Sequence, residues 1–250
     1  MDKLKVDLYH GDCLKVMQQL IEQGVKVDAI ITDPPYGKLD AKWDKNIPTN
    51  LMWDKLNNLI KCDGVICLFG IEPFSSLVRT SNLKMYRYDW IWKKSTNTNF
   101  AQAPYMPLKN YENIMIFSKG TIASNSKNKM VYFPQGVIKT DKLIKGRTEN
   151  AYRLGRSKQK DYVQKGTNYP KMIIEFSNDL LGLHPTQKPL ALMEYLVKTY
   201  SNEGDTVLDF TMGSGTVGVA CKKLNRNFIG IELDAKYYQV AQERIANTAV

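Results

Sequence analysis

Apolar runs of strand length alternate with segments of helical period along most of this 250-residue chain, and that alternation restricts the fold more than any other feature. Strand-like runs cover 4–9, 27–32, 64–69, 86–92, 112–118, 206–210 and 228–232. Helix-like segments cover 13–23, 189–200, 215–224 and 235–246; in the second, Leu190, Met193, Leu196 and Val197 share one face. Strands and helices that alternate in this way bury their apolar faces in a largely parallel sheet covered by helices. The seven runs predict a doubly wound, mostly parallel α/β fold.

Residues 119–181 break the rhythm. The block is rich in Asn, Ser, Gly, Lys and Tyr and reads as an insertion, dividing the chain into 1–118, 119–181 and 182–250. It also holds the charge. Between residues 119 and 175 thirteen Lys and Arg stand against four acids, a net +9 out of +10 for the whole chain. Tyr132, Phe133, Tyr152, Tyr162 and Tyr169 are interleaved with those bases. Positive charge this concentrated suits a polyanion. A solvated insertion without a ligand is the plainer alternative.

No apolar stretch approaches the roughly 18 residues of a membrane span, and the first residues lack the apolar core of a signal peptide. Cys13, Cys62, Cys67 and Cys221 are scattered, and His10 and His184 are the only imidazoles, so no metal-ligand spacing exists. A reduced, cytoplasmic protein without a metal site is expected.

Three strand ends carry the chemistry. In I-I-T-D-P-P-Y the prolines lack N–H groups and stop the strand, so Asp33 stands at its carboxyl end ahead of Pro34, Pro35 and Tyr36. Open α/β sheets bind ligands at that edge. In V-L-D-F-T-M-G-S-G the strand ends near Asp209, and Gly213 and Gly215 let the backbone turn and approach a ligand where a helix starts. Glu232 ends the following strand, 19 positions after Gly213, where a carboxylate can accept both ribose hydroxyls of an adenosine. Each feature has a plainer reading: a rigid turn with a surface acid, glycines needed for packing, a helix-capping Glu. Glycine turn and acid together favour an adenosine-containing cofactor.

With these motifs in this order the chain resembles the S-adenosylmethionine-dependent DNA amino-methyltransferases of the permuted β class. D-P-P-Y (Asp33, Pro34, Pro35, Tyr36) precedes the glycine turn, and H-P-T-Q-K-P (184–189) lies just upstream of that turn. H-G-D-C-L-K-V-M (10–17) and Y-E-N-I-M-I-F-S-K (111–119) are further hallmarks. The resemblance implies a Rossmann-like methyltransferase fold with one antiparallel strand, S-adenosylmethionine as cofactor and double-stranded DNA as partner, with no membrane. Catalysis is implied for Asp33, Pro34, Pro35 and Tyr36, the target base being flipped out to stack on Tyr36. For the cofactor it implies Gly213, Gly215 and Asp209 beside the methionine part, Glu232 on the ribose and Asp12 near the adenine amine. Thr186 and Lys188 are implied at the carboxylate, and Phe69 is either a wall of the pocket or an ordinary core residue. The family's aromatic two positions before the first glycine is Thr211 here, with Phe210 one step earlier, so the side chain lining the methionine arm stays open. His184 is expected to be a structural hydrogen-bonder. The block 119–181 becomes the target-recognition segment. Family members often dimerise; a homodimer and a cognate restriction nuclease both stay open.

Adenine N6 is the expected target, because members that methylate cytosine more often carry S-P-P-Y; cytosine N4 is the alternative. A nicotinamide-dependent oxidoreductase would account for the glycine turn but not for Asp33 to Tyr36 or the basic block. A non-catalytic DNA-binding module would not need Asp33, Glu232 and the glycines together.

Overall fold

The computed structural model describes residues 4–37, 46–146, 160–178 and 187–249. Two compact units emerge, Met1–Phe133 with Met172–Val250, and Pro134–Lys171. The strands are β1 (Val6–His10), β2 (Val27–Thr32), β3 (Ile60–Gly70), β4 (Tyr86–Thr98), β5 (Lys109–Ser118), β6 (Ile138–Ile144), β7 (Tyr162–Thr167), β8 (Ile173–Phe176), β9 (Thr206–Asp209) and β10 (Asn227–Glu232). The helices are α1 (Cys13–Glu22), α2 (Thr49–Leu59), α3 (Phe74–Ser81), α4 (Leu190–Tyr200), α5 (Thr216–Lys223) and α6 (Ala235–Ala246).

The larger unit is built on one sheet in the order β1-β10-β9-β2-β3-β5-β4-β8. Every neighbouring pair is parallel except those made by β5, which runs against both β3 and β4. All seven expected strands are present, and one strand is reversed. The difference is an eighth, β8, which pairs along β4 from Ile91↔Ile173 to Lys94↔Phe176. Four residues are too few to display a period-2 pattern, and these lie inside the block read as an insertion.

Alternate residues of the inner strands feed two separate cores, as a doubly wound sheet requires. Ala29 and Ile31 of β2 pack with Leu192, Leu196 and Val197 of α4 and with Val219 and Ala220 of α5. Ile30 packs with Met17 and Leu20 of α1 and with Met52, Trp53, Leu56 and Leu59 of α2. Residues 119–133 belong to this unit as well: Met130 is buried in the first core, and Phe133 N–H donates to the Thr199 carbonyl at 2.8 Å. The smaller unit is built on the antiparallel hairpin β6–β7. Among the described residues no helix is long and apolar enough to cross a membrane.

The chain order reverses between β9 and β2, which pair at Ala29↔Val207 and Ile30↔Leu208. That switch point leaves a crevice beyond the carboxyl ends of both strands.

Helix α5 is held close to its neighbours at Gly218, where an added Cβ would lie 2.4 Å from Ile245 Cδ1 and 2.7 Å from Phe228 Cε1. Gly218→Ala should therefore destabilise the protein by about 1–2 kcal/mol, overpacking outweighing the gain in helix propensity. Urea unfolding measures this, and an unchanged midpoint would mean that α5 can move off α6 without cost.

Candidate active site

A cavity of about 440 Å³ occupies the crevice at the switch point. Its wall brings together Asp33, Pro34, Pro35 and Tyr36 beyond β2, Asp209, Phe210, Thr211 and Gly213 at and beyond the end of β9, and Glu232 closing β10. Asp12, Phe69 and Lys188 complete the set. Thr186 and His184 lie outside the described residues. Gly215 is not on the wall. It has φ +78°, precedes α5, and a Cβ there would lie 2.9 Å from Ala241 Cβ, so it serves the approach of α5 to α6.

Asp33 is held by two donors. The Tyr36 hydroxyl donates to one carboxylate oxygen and the Lys188 ammonium to the other. Lys188 Nζ also lies 3.4 Å from Glu112 Oε2, and Lys94 Nζ reaches Glu112 Oε1 at 2.5 Å. Carboxylate and ammonium thus alternate from Asp33 through Lys188 and Glu112 to Lys94. Lys188 further sits 5.2 Å above the Phe69 ring, which is both a core residue and part of the cavity wall. Burial pushes the Asp33 carboxyl above its ordinary value, Lys188 draws it back, and Glu112 pushes it further up. Burial also opposes ionisation of Glu112, but Lys188 and Lys94 outweigh it and hold that carboxyl below its ordinary value. Burial likewise opposes the charge on Lys188, and Asp33 and Glu112 overcome it, so the ammonium is retained.

This arrangement turns Lys188 toward the D-P-P-Y turn. Its neighbour Gln187 faces the glycine turn: Ser214 Oγ lies 3.4 Å from Gln187 Oε1, and Gln187 Nε2 is buried without a hydrogen-bond partner among the described residues. Glu112 and Gln187 escape the sequence reading, although an acid inside the apolar run E-N-I-M-I-F is a visible anomaly for a buried strand.

Hydroxyl groups stitch β2 to β9 across the switch point. Thr32 Oγ1 donates to Asp209 Oδ1 at 2.7 Å and lies 2.6 Å from Thr211 Oγ1, which donates to the Asp33 carbonyl at 3.1 Å. An aromatic side chain at position 211 could not make these contacts. Phe210 faces the core shared with α1 and α2 while also reaching the cavity. Burial pushes the Asp209 carboxyl up to about 7. Glu232 accepts the Gly213 N–H at 2.8 Å and the Asp234 N–H at 2.8 Å; burial nevertheless raises its pKa. Asp12 caps α1 by accepting the Lys15 N–H at 3.1 Å.

A doubly wound sheet with one reversed strand and a ligand-sized cavity at its switch point defines a Rossmann-like α/β fold with its site at the carboxyl edge of the sheet. A family model described as DNA methylase matches residues 27–243, and the chain belongs to that family. The Type II methyltransferase M.HpaI of Haemophilus parainfluenzae is 29% identical over 248 residues, covering 94% of this chain and 72% of the relative. M2.DpnII of Streptococcus pneumoniae is 26% identical over 270 residues, covering 98% and 91%. Among solved structures, the M1.HpyAVI–SAM complex is similar with a TM-score of 0.65 at 28% identity, covering 96% of this chain and 99% of that one. The cytosine-N4-specific PvuII methyltransferase, at 14% identity and a TM-score of 0.64, covers 98% of this chain and 88% of its own and shares the fold.

Asp209 gives the site a measurable pH signature. An unfolded Asp titrates near 3.9, whereas Asp209 titrates at about 7 in the fold. The folded protein keeps a proton that the unfolded chain has lost, so stability falls as pH rises through that window. Between about pH 5 and about pH 8 wild type should lose up to about 3 kcal/mol more stability than Asp209→Asn, measured by denaturant unfolding. Equal losses would mean that Asp209 is ionised throughout.

Proposed function

We propose that this DNA methylase transfers a methyl group from S-adenosylmethionine to the N6 amine of an adenine flipped out of double-stranded DNA. The carrying observation is Asp33, a partly buried carboxylate on the cavity wall beside Pro34 and Tyr36. An exocyclic amine is a weak nucleophile because its lone pair is delocalised into the ring. Asp33 accepts one amine N–H and the Pro34 carbonyl the other; two acceptors draw the nitrogen toward tetrahedral geometry and free the lone pair. Pro34 and Pro35 keep those acceptors from swinging away, and Tyr36 stacks on the extruded ring. The proton leaves after transfer, when the methylated nitrogen is acidic, and Asp33, raised by burial, is suited to receive it.

S-adenosylmethionine is the methyl donor, and the cavity has groups to match it. Glu232 has acceptor capacity for ribose hydroxyls, and Asp209 for an ammonium. The donor Gln187 Nε2 meets the need of a carboxylate better than Lys188, which is committed to Asp33 and Glu112. When bound, the cofactor supplies a methyl carbon made electrophilic by a sulfonium sulfur. The order of motifs, D-P-P-Y before the glycine turn, supports placement in the permuted β class. The basic smaller unit, with Lys139 and Lys142 on β6 and Lys165 on β7, is the proposed target-recognition region; lysines there neutralise phosphates without reading sequence. Its Type II relatives point to a cognate restriction nuclease as the partner of this chain.

Asp33→Ala should lower methyl transfer by at least about 100-fold, with S-adenosylmethionine binding by calorimetry unchanged. Loss of cofactor binding by a folded variant would assign Asp33 to the cofactor instead. Nucleosides from DNA treated with the purified protein and S-adenosylmethionine should contain N6-methyladenine by mass spectrometry. N4-methylcytosine in its place would overturn the target base and leave the reaction class standing.

A further inference from the structure

Two strands of the large sheet run on past their neighbours. Gly70 closes β3 opposite Asn113, and β8 stops at Phe176 opposite Lys94. Strands β4 and β5 continue from Trp92↔Glu112 to Thr98↔Lys109, and residues 99–108 join them. The resulting arm leaves the carboxyl edge of the sheet, where the cavity lies, and Glu112 at its root is on the cavity wall. Lys94 Nζ meets Glu112 Oε1 at 2.5 Å across that root, so the arm shares one frame with the charge row that holds Asp33. Along β5 from Glu112 to Lys109 the arm rises about 10 Å, and a B-DNA groove is roughly 8 Å deep.

The tip is apolar, exposed and ordered. Tyr105 is 88% exposed and Phe100 66%, with Met106 exposed beside them. Asn99 turns the chain at φ +74°, and its side-chain amide donates to Gln102 Oε1 at 2.8 Å. The N–H groups of Tyr105 and Met106 both donate to the Gln102 carbonyl, at 2.9 and 3.0 Å, and Pro104 and Pro107 flank the pair. A tip braced in this way holds aromatic rings in water, an unfavourable arrangement until a partner covers them.

Charge indicates the partner. Between Trp90 and Tyr111 stand three lysines, Lys93, Lys94 and Lys109, and no acid. Ser95, Thr96, Asn97 and Thr98 add neutral hydrogen-bonding groups along the arm. An acid-free strand pair with exposed aromatics suits a nucleic acid, whose phosphates repel acids and whose bases offer stacking faces. A second copy of the chain fits less well. Two aromatic side chains of roughly 150–250 Å² each fall short of the roughly 800 Å² that each partner buries in a stable dimer.

We propose that the tip of this arm is a wedge for duplex DNA: Tyr105 enters the space vacated by the flipped base and stacks on the base left without a partner. The inference rests on the base-flipping methyltransferase reading and adds to it the group that fills the gap. Flipping forfeits the pairing and stacking of the target. An aromatic face restores part of the stacking, and it accepts any base.

The test compares wild type, Tyr105→Ala and Tyr105→Phe on a duplex carrying the mapped methylation site, with S-adenosylhomocysteine present. Tyr105→Ala should bind about 10- to 100-fold more weakly, the worth of one stacked base, and Tyr105→Phe within about 2-fold of wild type. No ionic contact is lost, so the salt dependence of Tyr105→Ala should keep the wild-type slope. Calorimetric affinity for S-adenosylmethionine should be the same in all three. Permanganate attacks unstacked thymine, so the thymine opposite the target adenine should be protected in the wild-type complex and reactive in that of Tyr105→Ala. Equal reactivity in those two complexes, or wild-type affinity of Tyr105→Ala, overturns the inference. A dimer lost in Tyr105→Ala by light scattering, with DNA affinity intact, would assign the tip to a second copy instead. Wild type that neither binds nor methylates DNA would end the methyltransferase reading and the wedge together, whereas a failure seen only in the variants leaves that reading standing. If the methylated base is cytosine, its partner is guanine, and the affinity ratio with its salt slope decides for or against the wedge.

Discussion

The site depends on a partly buried row of charges of alternating sign, Asp33, Lys188, Glu112 and Lys94, that crosses from the end of β2 to the outer strands β5 and β4. A carboxylate taken out of water costs several kcal/mol unless an opposite charge and hydrogen bonds replace its hydration. Asp33 needs to be shielded from water, since an acceptor fully surrounded by water would polarise a neutral amine only weakly. Lys188 makes that burial tolerable, Glu112 makes the burial of Lys188 tolerable, and Lys94, only 20% exposed, ends the row near solvent. The prolines that follow Asp33 add rigidity to a turn whose position these charges already specify.

A second set of contacts joins this row to the other half of the sheet. Thr32 and Thr211 stand 179 positions apart in the chain and share a 2.6 Å contact, and Thr211 also reaches the Asp33 carbonyl. The strand that ends in the cofactor turn and the strand that ends in the catalytic turn are thereby locked in relative height. A methyl donor and a nucleophile must meet within a few tenths of an ångström for transfer to proceed efficiently, and rigid strand ends supply such positioning better than loops do.

Much of the fold was legible because seven strand-length runs are rich in apolar or aromatic residues, several of them ending at an acid or a glycine, and because helical periods fall between them. Helix α2 could have been read from Met52, Trp53, Leu56 and Leu59, which follow a helical period. Helix α3, with eight residues, and β8, with four, lack the glycine turn that marked the equally short β9 and α5 on either side of it. Within the site, Asp33, Asp209 and Glu232 were legible because each closes a strand, which fixes its place on the carboxyl edge of the sheet. The direction of Lys188 was not, since it lies in an irregular segment where no period tells one side from the other. The packing role of Gly215 was hidden for a related reason. Its need for a bare Cα comes from Ala241 on α6, a neighbour that only the fold brings near.

The most direct measurement is a crystal structure of the protein with S-adenosylhomocysteine and a duplex carrying the methylated site. The account predicts the target base outside the helix stack, its amine on Asp33 and the Pro34 carbonyl, its ring against Tyr36, and the homocysteine amino group at Asp209. It also predicts Lys188 still held between Asp33 and Glu112. A base left stacked in the duplex, or a cofactor bound on the Asp33 side with its carboxylate on Lys188, would contradict it.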